Sequence, residues 1–311
     1  MLIKDIFAAD ITRDIAPVVY FHEQAPTKVL EEVSEYIITG GYPENDPRHR
    51  RVQSGIHEQF VKLLKALAEE LEKKKGAELP ASWISGFYGS GKSSFAKLLG
   101  LALDGMVLPD NRKLADALLA RDDSPNSQEF RDLWYKICSQ ISPLAVVFDI
   151  GAIARDDEHI HSAVKRQIQV RLDYCTISHY VADHELKLEL DGKWDDFLMC
   201  AETTLNQTWS AAKNDQLAEE AFSEIMHAMN PTRYIDPMSW FDSRAGSETG
   251  IGTSVTETTQ DIINMLERRA PGKTVFIVVD EVSQYIHQDN NRMLKLQSFV
   301  SDLGQKLKGR V

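Results

Sequence analysis

The chain has 311 residues, of which 43% are apolar and 26% are charged, which is enough to bury a large core. Its formal net charge of −12 argues against strong binding of a nucleic-acid backbone by these residues alone. No apolar run reaches the roughly 20 residues that a membrane-spanning helix needs, and the first residues lack the apolar stretch of a secretory signal. We therefore expect a cytoplasmic protein that does not enter the membrane. Its three widely spaced cysteines are expected to be reduced, buried thiols.

The first 80 residues are predicted to form a helical lead-in. Apolar residues from Leu30 to Ile37 recur at helical spacing, with Thr27 near the N-cap and Gly40-Gly41 at the end. A clearer amphipathic helix is predicted over 54–75, and Gly76 and Pro80 end it. Its apolar face comprises Ile56, Phe60, Leu63, Leu64, Leu67 and Leu71.

Three apolar runs of strand length follow, at 81–85, 144–150 and 275–279. Helical segments are predicted near 94–99, 111–120, 127–141, 155–230, 256–269 and 291–308, with a loop at 231–254. This alternation predicts an α/β domain with a parallel sheet. About 120 residues separate the second and third strands, far more than a crossover needs. We therefore place a mostly helical insertion at 151–270, within a core formed by 81–150 and 271–311.

A glycine-rich segment lies between the first predicted strand and the next helix. Gly86 to Ser93 match the phosphate-binding pattern G-x-x-x-x-G-K-[ST] in full. The glycines permit tight turns, the loop amides and the helix dipole face the phosphates, and Lys92 reaches the β- and γ-phosphates. The Ser93 hydroxyl is expected to ligate Mg²⁺. The predicted cofactor-binding residues for ATP and Mg²⁺ are Gly86, Gly89, Ser90, Gly91, Lys92, Ser93 and Ser94.

Two acidic residues follow the third predicted strand. Asp280 stands at its carboxyl end, where open α/β sheets bind ligands, and fits the second protein ligand of Mg²⁺. Glu281 fits a base that polarises the attacking water, so Glu281 and Lys92 are the predicted catalytic residues. The adjacent acidic pair favours an ATPase over nucleotide kinases and GTPases, and the guanine-reading N-K-x-D sequence is not present.

Weaker candidates are Asp149, His159, His161, His287, Gln288, Trp83 and Tyr88. For the aspartate, a strand-end cap is favoured over a place in the site. For the first two histidines, a solvated helix or turn is favoured over a metal pair. The His-Gln pair after Glu281 is a minor candidate for a sensor of the γ-phosphate. The tryptophan is expected to pack, while the tyrosine is a candidate for lining the nucleotide or a partner surface.

The stretch from Ile84 to Lys97 closely resembles the P-loop segment of the BrxC/PglY proteins of bacterial BREX phage-defence systems. Residues 35–39, the His57…Phe60 stretch and residues 278–286 are similar as well. The resemblance implies an AAA+/ASCE-type P-loop NTPase with an incomplete parallel sheet and a large helical insertion. It also implies a homo-oligomer that acts with a DNA methyltransferase and a phosphatase-like protein. DNA would be reached through the complex rather than by this acidic chain.

In ATPases of this branch, a fourth strand lies between the P-loop strand and the Asp-Glu strand. The chain ends at Gly309-Arg310-Val311, about where that strand is expected. We therefore expect an N-terminal fragment of a longer protein, with the sensor residue, arginine finger and lid beyond Val311. Such a fragment is expected to hydrolyse ATP poorly or not at all, because the transition state lacks its arginine.

Two functions stay open at this point. One is an ATPase motor or switch, and the other is a nucleotide-gated scaffold with little turnover that assembles defence proteins. Glu281→Gln distinguishes them, because only a motor should be trapped with ATP and lose defence. A small-molecule kinase would need a phosphoacceptor pocket and a lid, and the sequence gives no specific sign of either.

Overall fold

The computed structural model describes residues 19–49, 55–73, 81–87, 89–155, 158–244, 254–287 and 289–311. Within these ranges the protein is a mixed α/β structure in which fifteen helices surround a two-stranded parallel sheet. None of the helices in the described ranges combines the length and the apolar character needed to cross a bilayer.

Among the described residues, five helices precede the sheet: α1 (Pro26–Glu35), α2 (Ile56–Leu71), α3 (Lys92–Leu103), α4 (Leu114–Leu119) and α5 (Ser127–Gln140). The predicted amphipathic helix is confirmed as α2, whose Phe60 and Leu64 are buried. Its predicted stop at residues 76 and 80 lies outside the described residues. Thr27 lies near the N-cap of α1 as predicted, but the N-cap itself is Ala25, and the helix begins with Pro26, whose fixed φ suits a first helical turn.

The sheet consists of β1 (Pro143–Asp149) and β2 (Thr274–Asp280), which confirms the second and third predicted strands. The strands pair in parallel along their whole length, from Pro143 opposite Thr274 to Asp149 opposite Asp280. Both carboxyl ends therefore lie at the same edge of the sheet.

Side chains cover the outer edge of β1. Asp104 accepts a hydrogen bond from the Ala145 amide at 2.8 Å, and Gln24 donates to the Val147 carbonyl at 2.7 Å. These bonds satisfy backbone groups that an edge strand otherwise presents to other chains. The lead-in and α3 are thereby fixed to the strand.

The outer edge of β2 contacts the last residues of the chain. Thr274 N donates to Ser142 O on the β1 side, whereas Val275 N donates to Arg310 O at 2.6 Å. Because successive amides of a strand point to opposite edges, Arg310 lies on the edge away from β1. The chain reaches this position after a turn at Gly309, whose φ is 80°.

The prediction of a buried strand over 81–85 is wrong in this structure. Residues 81–87 have no regular secondary structure, and 60% of the Trp83 surface is exposed. An apolar run becomes a strand only when a neighbour supplies its backbone hydrogen bonds. Along its whole length, β2 pairs with β1 and not with this segment.

The helices after β1 are α6 (Ile150–Ile153), α7 (Ile160–Arg171), α8 (His179–Leu190), α9 (Trp194–Leu205), α10 (Trp209–Ala212), α11 (Ala218–Met229), α12 (Ser239–Arg244) and α13 (Val255–Arg269). After β2 come α14 (Val282–Tyr285) and α15 (Asn290–Leu307). The loop predicted at 231–254 contains α12, so that prediction is wrong for 239–244. Residues 245–253 lie outside the described ranges.

Two hydrophobic cores lie on opposite faces of the sheet. Helices α1–α5 form one, together with Val147 and Phe276 of the strands. Helices α7–α13 and α15 form the other, together with Leu144, Val146 and Val275. Helices on both faces are what a buried parallel pair requires, because both faces of the strands are apolar. Of the cysteines, Cys175 is buried and the other two are half-buried, and all three are free thiols.

Helix α3 lies unusually close to the sheet at Gly100. A Cβ atom there would lie 2.7 Å from a Val147 methyl group and 3.0 Å from a Val278 methyl group. No real Cβ tolerates the first distance, so only glycine permits this approach. The approach fixes α3, and hence Lys92 at its first position, relative to the carboxyl ends of both strands.

Candidate functional site

The described residues of the glycine-rich segment, 86–87 and 89–91, include two glycines in the left-handed backbone region. Gly89 and Gly91 adopt φ values of 77° and 81°, which side chains disfavour. A Cβ on Gly86 would lie 2.8 Å from the Ser90 Oγ atom. The positive φ values favour glycine at positions 89 and 91, whereas the Ser90 hydroxyl could rotate away from a side chain at position 86.

Helix α3 begins at Lys92, directly after this loop. The amides of Lys92, Ser93 and Ser94 have no acceptor within the helix, because the first amides of a helix point beyond its end. The Lys92 Nζ atom donates to the Phe87 carbonyl at 2.8 Å. Lys92 therefore lies along the loop, where its charge and the helix dipole both favour an anion.

Asp149 and Asp280 lie side by side, since they are register partners at the carboxyl ends of β1 and β2. Asp149 Oδ1 accepts from the Gly151 amide at 2.8 Å and caps α6, as the sequence favours. Asp280 Oδ1 accepts from the Glu281 amide at 3.0 Å. Both carboxylates are thereby oriented by the backbone that follows their own strand.

Glu281 lies next to these two aspartates. Burial raises its pKa, and the negative charges of Asp280 and Asp149 raise it further, whereas the positive charge of Lys92 lowers it. A carboxylate with a raised pKa is a stronger base than an ordinary one. The structure therefore places Glu281 within the electrostatic influence of Lys92 and both strand-end aspartates.

The hydroxyl and the carboxylate predicted to hold Mg²⁺ are donors of the chemical type that this ion prefers. The ion prefers oxygen ligands, keeps several waters, and takes one or two protein ligands when phosphate oxygens supply others. Ser93 on α3 and Asp280 on β2 are the two oxygen donors that the sequence assigns to it. Within the described residues, no group of three or more His, Cys, Asp or Glu side chains is arranged to hold a metal ion by itself. A site that shares its ion with phosphate oxygens does not need such a group.

The other sequence candidates have different places. Tyr88 and Gln288 lie outside the described residues. His287 is exposed in the turn after α14, and Trp83 is exposed rather than packed. His159 and His161 stack with their ring centroids 5.4 Å apart. The prediction of a solvated position is wrong for His161, which is completely buried in the first turn of α7.

Polar residues around the two turns were not identified from the sequence. Arg166 and Glu158 contact the turn after β1, and Tyr285 contacts Glu158 from the turn after β2. They carry no motif, and 127 residues separate the phenol from its acceptor. A local sequence pattern therefore gives no signal for them.

No protein-family model matches the chain, and no solved structure matches it either. An argument about function consequently depends on the geometry and chemistry of the residues themselves.

Proposed function

We propose that this chain binds ATP with Mg²⁺ at residues 86–93 and takes part in its hydrolysis. The main support is that Lys92, which follows the glycine-rich loop, and the strand-end residues Asp280 and Asp149 all lie close enough to Glu281 to shift its pKa. A loop that cradles phosphate and a base that activates water are the two parts that ATP hydrolysis needs.

Each residue has a distinct role in this proposal. The amides of Lys92, Ser93 and Ser94 bind phosphate oxygens, and Lys92 leaves the Phe87 carbonyl to contact the β- and γ-phosphates. Asp280 and Ser93 hold Mg²⁺, which when bound offsets the charge of the phosphates. Glu281 accepts a proton from the attacking water, a task that its raised pKa favours.

Nucleotide binding is tested with the Lys92→Ala variant. Loss of a charge-assisted contact should weaken Mg²⁺–ATP binding by about 10- to 100-fold, measured by isothermal titration calorimetry. Lys28→Ala is the matched control, because Lys28 is an exposed lysine on α1 that pairs with Glu31. Equal affinity of the Lys92→Ala variant and the unsubstituted chain would refute the site.

We further propose that the protein is a cytoplasmic, AAA+-like component of a bacterial BREX phage-defence complex. The support is the resemblance of residues 84–97 and 278–286 to the BrxC/PglY family. The expected partners are the methyltransferase, the phosphatase-like component and further copies of this protein. Phage plating on cells that carry Lys92→Ala tests this role, and unchanged defence would contradict it.

One structural observation favours the scaffold alternative. Residues 81–87 are not paired in the sheet, and Phe87 is 91% exposed, so the loop is not anchored to a strand. A loosely held loop fits nucleotide binding with slow turnover. Glu281→Gln decides between the two functions: a motor is trapped with ATP and loses defence, whereas a scaffold keeps both assembly and defence. Glu267→Gln, at an exposed position of α13, is the control.

A further inference from the structure

The turn between β2 and α14 contains an unfavourable backbone conformation. Glu281 adopts a φ of 59°, in the left-handed region that residues with a Cβ atom disfavour. Such a conformation persists only where the surrounding structure holds the chain. The charges of Asp149 and Lys92 both shift the pKa of Glu281. The contacts that hold this turn therefore also set the position of the Glu281 carboxylate relative to these two residues.

Two contacts hold α14 at its last residue. The Tyr285 hydroxyl donates to the Glu158 carbonyl oxygen. Arg292 of α15 donates to the Tyr285 carbonyl at 2.9 Å, and its guanidinium lies 4.4 Å from the centre of the tyrosine ring. Tyr285, the last residue of α14, is thus held through both its hydroxyl group and its backbone carbonyl.

Glu158 is held in turn by Arg166 of α7. The guanidinium donates to Glu158 Oε2 at 2.7 Å and to the Ile153 carbonyl at 2.8 Å. The side chains of Arg166 and Glu158 are only 21% and 13% exposed, so water screens this pair weakly. Ile153 ends α6, the helix that Asp149 caps.

The same arginine therefore connects the turns that follow both strands. The turns also lie side by side, since α6 neighbours α14 and a Cβ added to Gly151 would lie 3.9 Å from the Cβ of Glu281. Arg166, Glu158 and Tyr285 form a continuous set of contacts, which we name the turn brace.

We propose that the turn brace holds Glu281 in its left-handed conformation, so that Arg166, Glu158 and Tyr285 are positioning residues for this carboxylate. The proposal deepens the proposed function, on which the catalytic meaning of Glu281 rests. It also gives a role to residues 158–166, which belong to the segment predicted as a helical insertion.

A double-mutant cycle of Tyr285→Phe and Glu281→Gly tests the brace by urea denaturation of the full chain. When Glu281 is present, loss of the phenol lets the turn relax, and the strain that is released offsets part of the lost hydrogen bond. When glycine replaces Glu281 there is no strain to release. Tyr285→Phe should raise the unfolding equilibrium constant in both backgrounds. The factor of this increase should be about five times smaller in the unsubstituted chain than in the Glu281→Gly variant.

A matched control removes a different phenol from the same core. The Tyr174 hydroxyl donates to Glu189 Oε2 at 2.6 Å, away from both turns, so Tyr174→Phe should be additive with Glu281→Gly. Additive behaviour of Tyr285→Phe as well would overturn the proposal, because a merely structural hydrogen bond does not sense the residue at position 281.

Mg²⁺–ATP affinity separates this inference from the proposed function. The hydrogen bonds of the brace join α7, α14 and the turn after β1, and none of them involves Lys92. Arg166→Met should therefore bind as tightly as the unsubstituted chain. Arg171→Met, on the same helix but paired with Asp104, is the control.

A loss of affinity confined to Arg166→Met would mean that the brace shapes the phosphate loop instead, and would overturn the proposal. Absence of binding by the unsubstituted chain would refute only the ATP site, since the stability cycle needs no nucleotide.

Discussion

Glu185 on α8 is a carboxylate that the helical core buries completely. Its oxygens accept hydrogen bonds from the Trp209 indole at 2.5 Å and from the Cys175 amide at 2.8 Å. Burial nevertheless raises the pKa of Glu185 from 4.5 to about 7, because these donors and the cations of Arg269 and Lys213 replace water only in part. We therefore expect this single side chain to make stability depend on pH.

The direction follows from proton binding. Between pH 4.5 and about 7 the folded chain keeps a proton on Glu185 that the unfolded chain releases, so the free energy of unfolding falls as the pH rises. The contribution is complete below this window and lost above it. The difference between the two pKa values corresponds to about 3 kcal/mol.

The neighbouring His184 acts in the opposite sense. Burial lowers its pKa from 6.5 to about 4, so the unfolded chain binds a proton that the folded chain excludes. Stability therefore rises with pH between these values. The two contributions nearly cancel each other from pH 4.5 to 6.5, and above that range His184 no longer opposes the fall caused by Glu185.

In the Glu185→Gln variant, the pH dependence of stability caused by His184 is no longer cancelled by Glu185. We expect the free energy of unfolding of the variant, measured relative to that of the unsubstituted chain, to rise from pH 4.5 to 6.5 by up to about 3 kcal/mol. Urea denaturation across this range measures both, with Glu202→Gln, an exposed position on α9, as the control. Parallel profiles of Glu185→Gln and the unsubstituted chain would refute the assignment of the slope to Glu185.

Two further predictions concern the core around α3 and use the same denaturation assay. Gly100→Val forces a side chain against a β1 methyl group 2.7 Å away and should lower stability by about 1–3 kcal/mol. Gly304→Ala, where nothing lies within 4 Å on α15, should raise it by up to about 1 kcal/mol, and equal effects would contradict the close packing. Lys97→Met removes a fully buried cation 2.7 Å from Glu32 and should cost about 3–5 kcal/mol, part of which Glu32→Gln restores. Lys28→Met breaks an exposed pair and should leave stability unchanged.

The parts of the fold that the sequence predicts are those with a strong local signal. Helix α2 was predictable because apolar residues recur on one face, as Phe60 and Leu64 show. Strands β1 and β2 were predictable because each is a short apolar run that needs burial on both faces. The left-handed conformations of Gly89 and Gly91 agree with the glycine pattern, whereas the binding of phosphate by this loop stays a prediction.

The parts that the sequence did not predict depend on distant partners. Residues 81–85 have the composition of a strand, yet an apolar run forms a strand only where a neighbouring strand is available to pair with it. Lys97, Lys165 and Glu185 belong to residue types that usually lie on surfaces, and each is buried against groups from other elements. Tyr285 finds its acceptor 127 residues away, so only the tertiary fold reveals it.

The candidate site lies where the two cores meet, and this location explains its dependence on exact packing. Lys92 belongs to α3 in the first core, whereas α14, which follows Glu281, packs on the second through Val282 and Tyr285. The sheet contributes side chains to both cores and so sets the separation of these two charges. Gly100 lies eight residues after Lys92, or about 12 Å along the helix axis. A Cβ at Gly100 that tilts α3 away from the sheet would therefore displace Lys92 from the strand-end carboxylates, although Gly100 itself lies outside the glycine-rich loop.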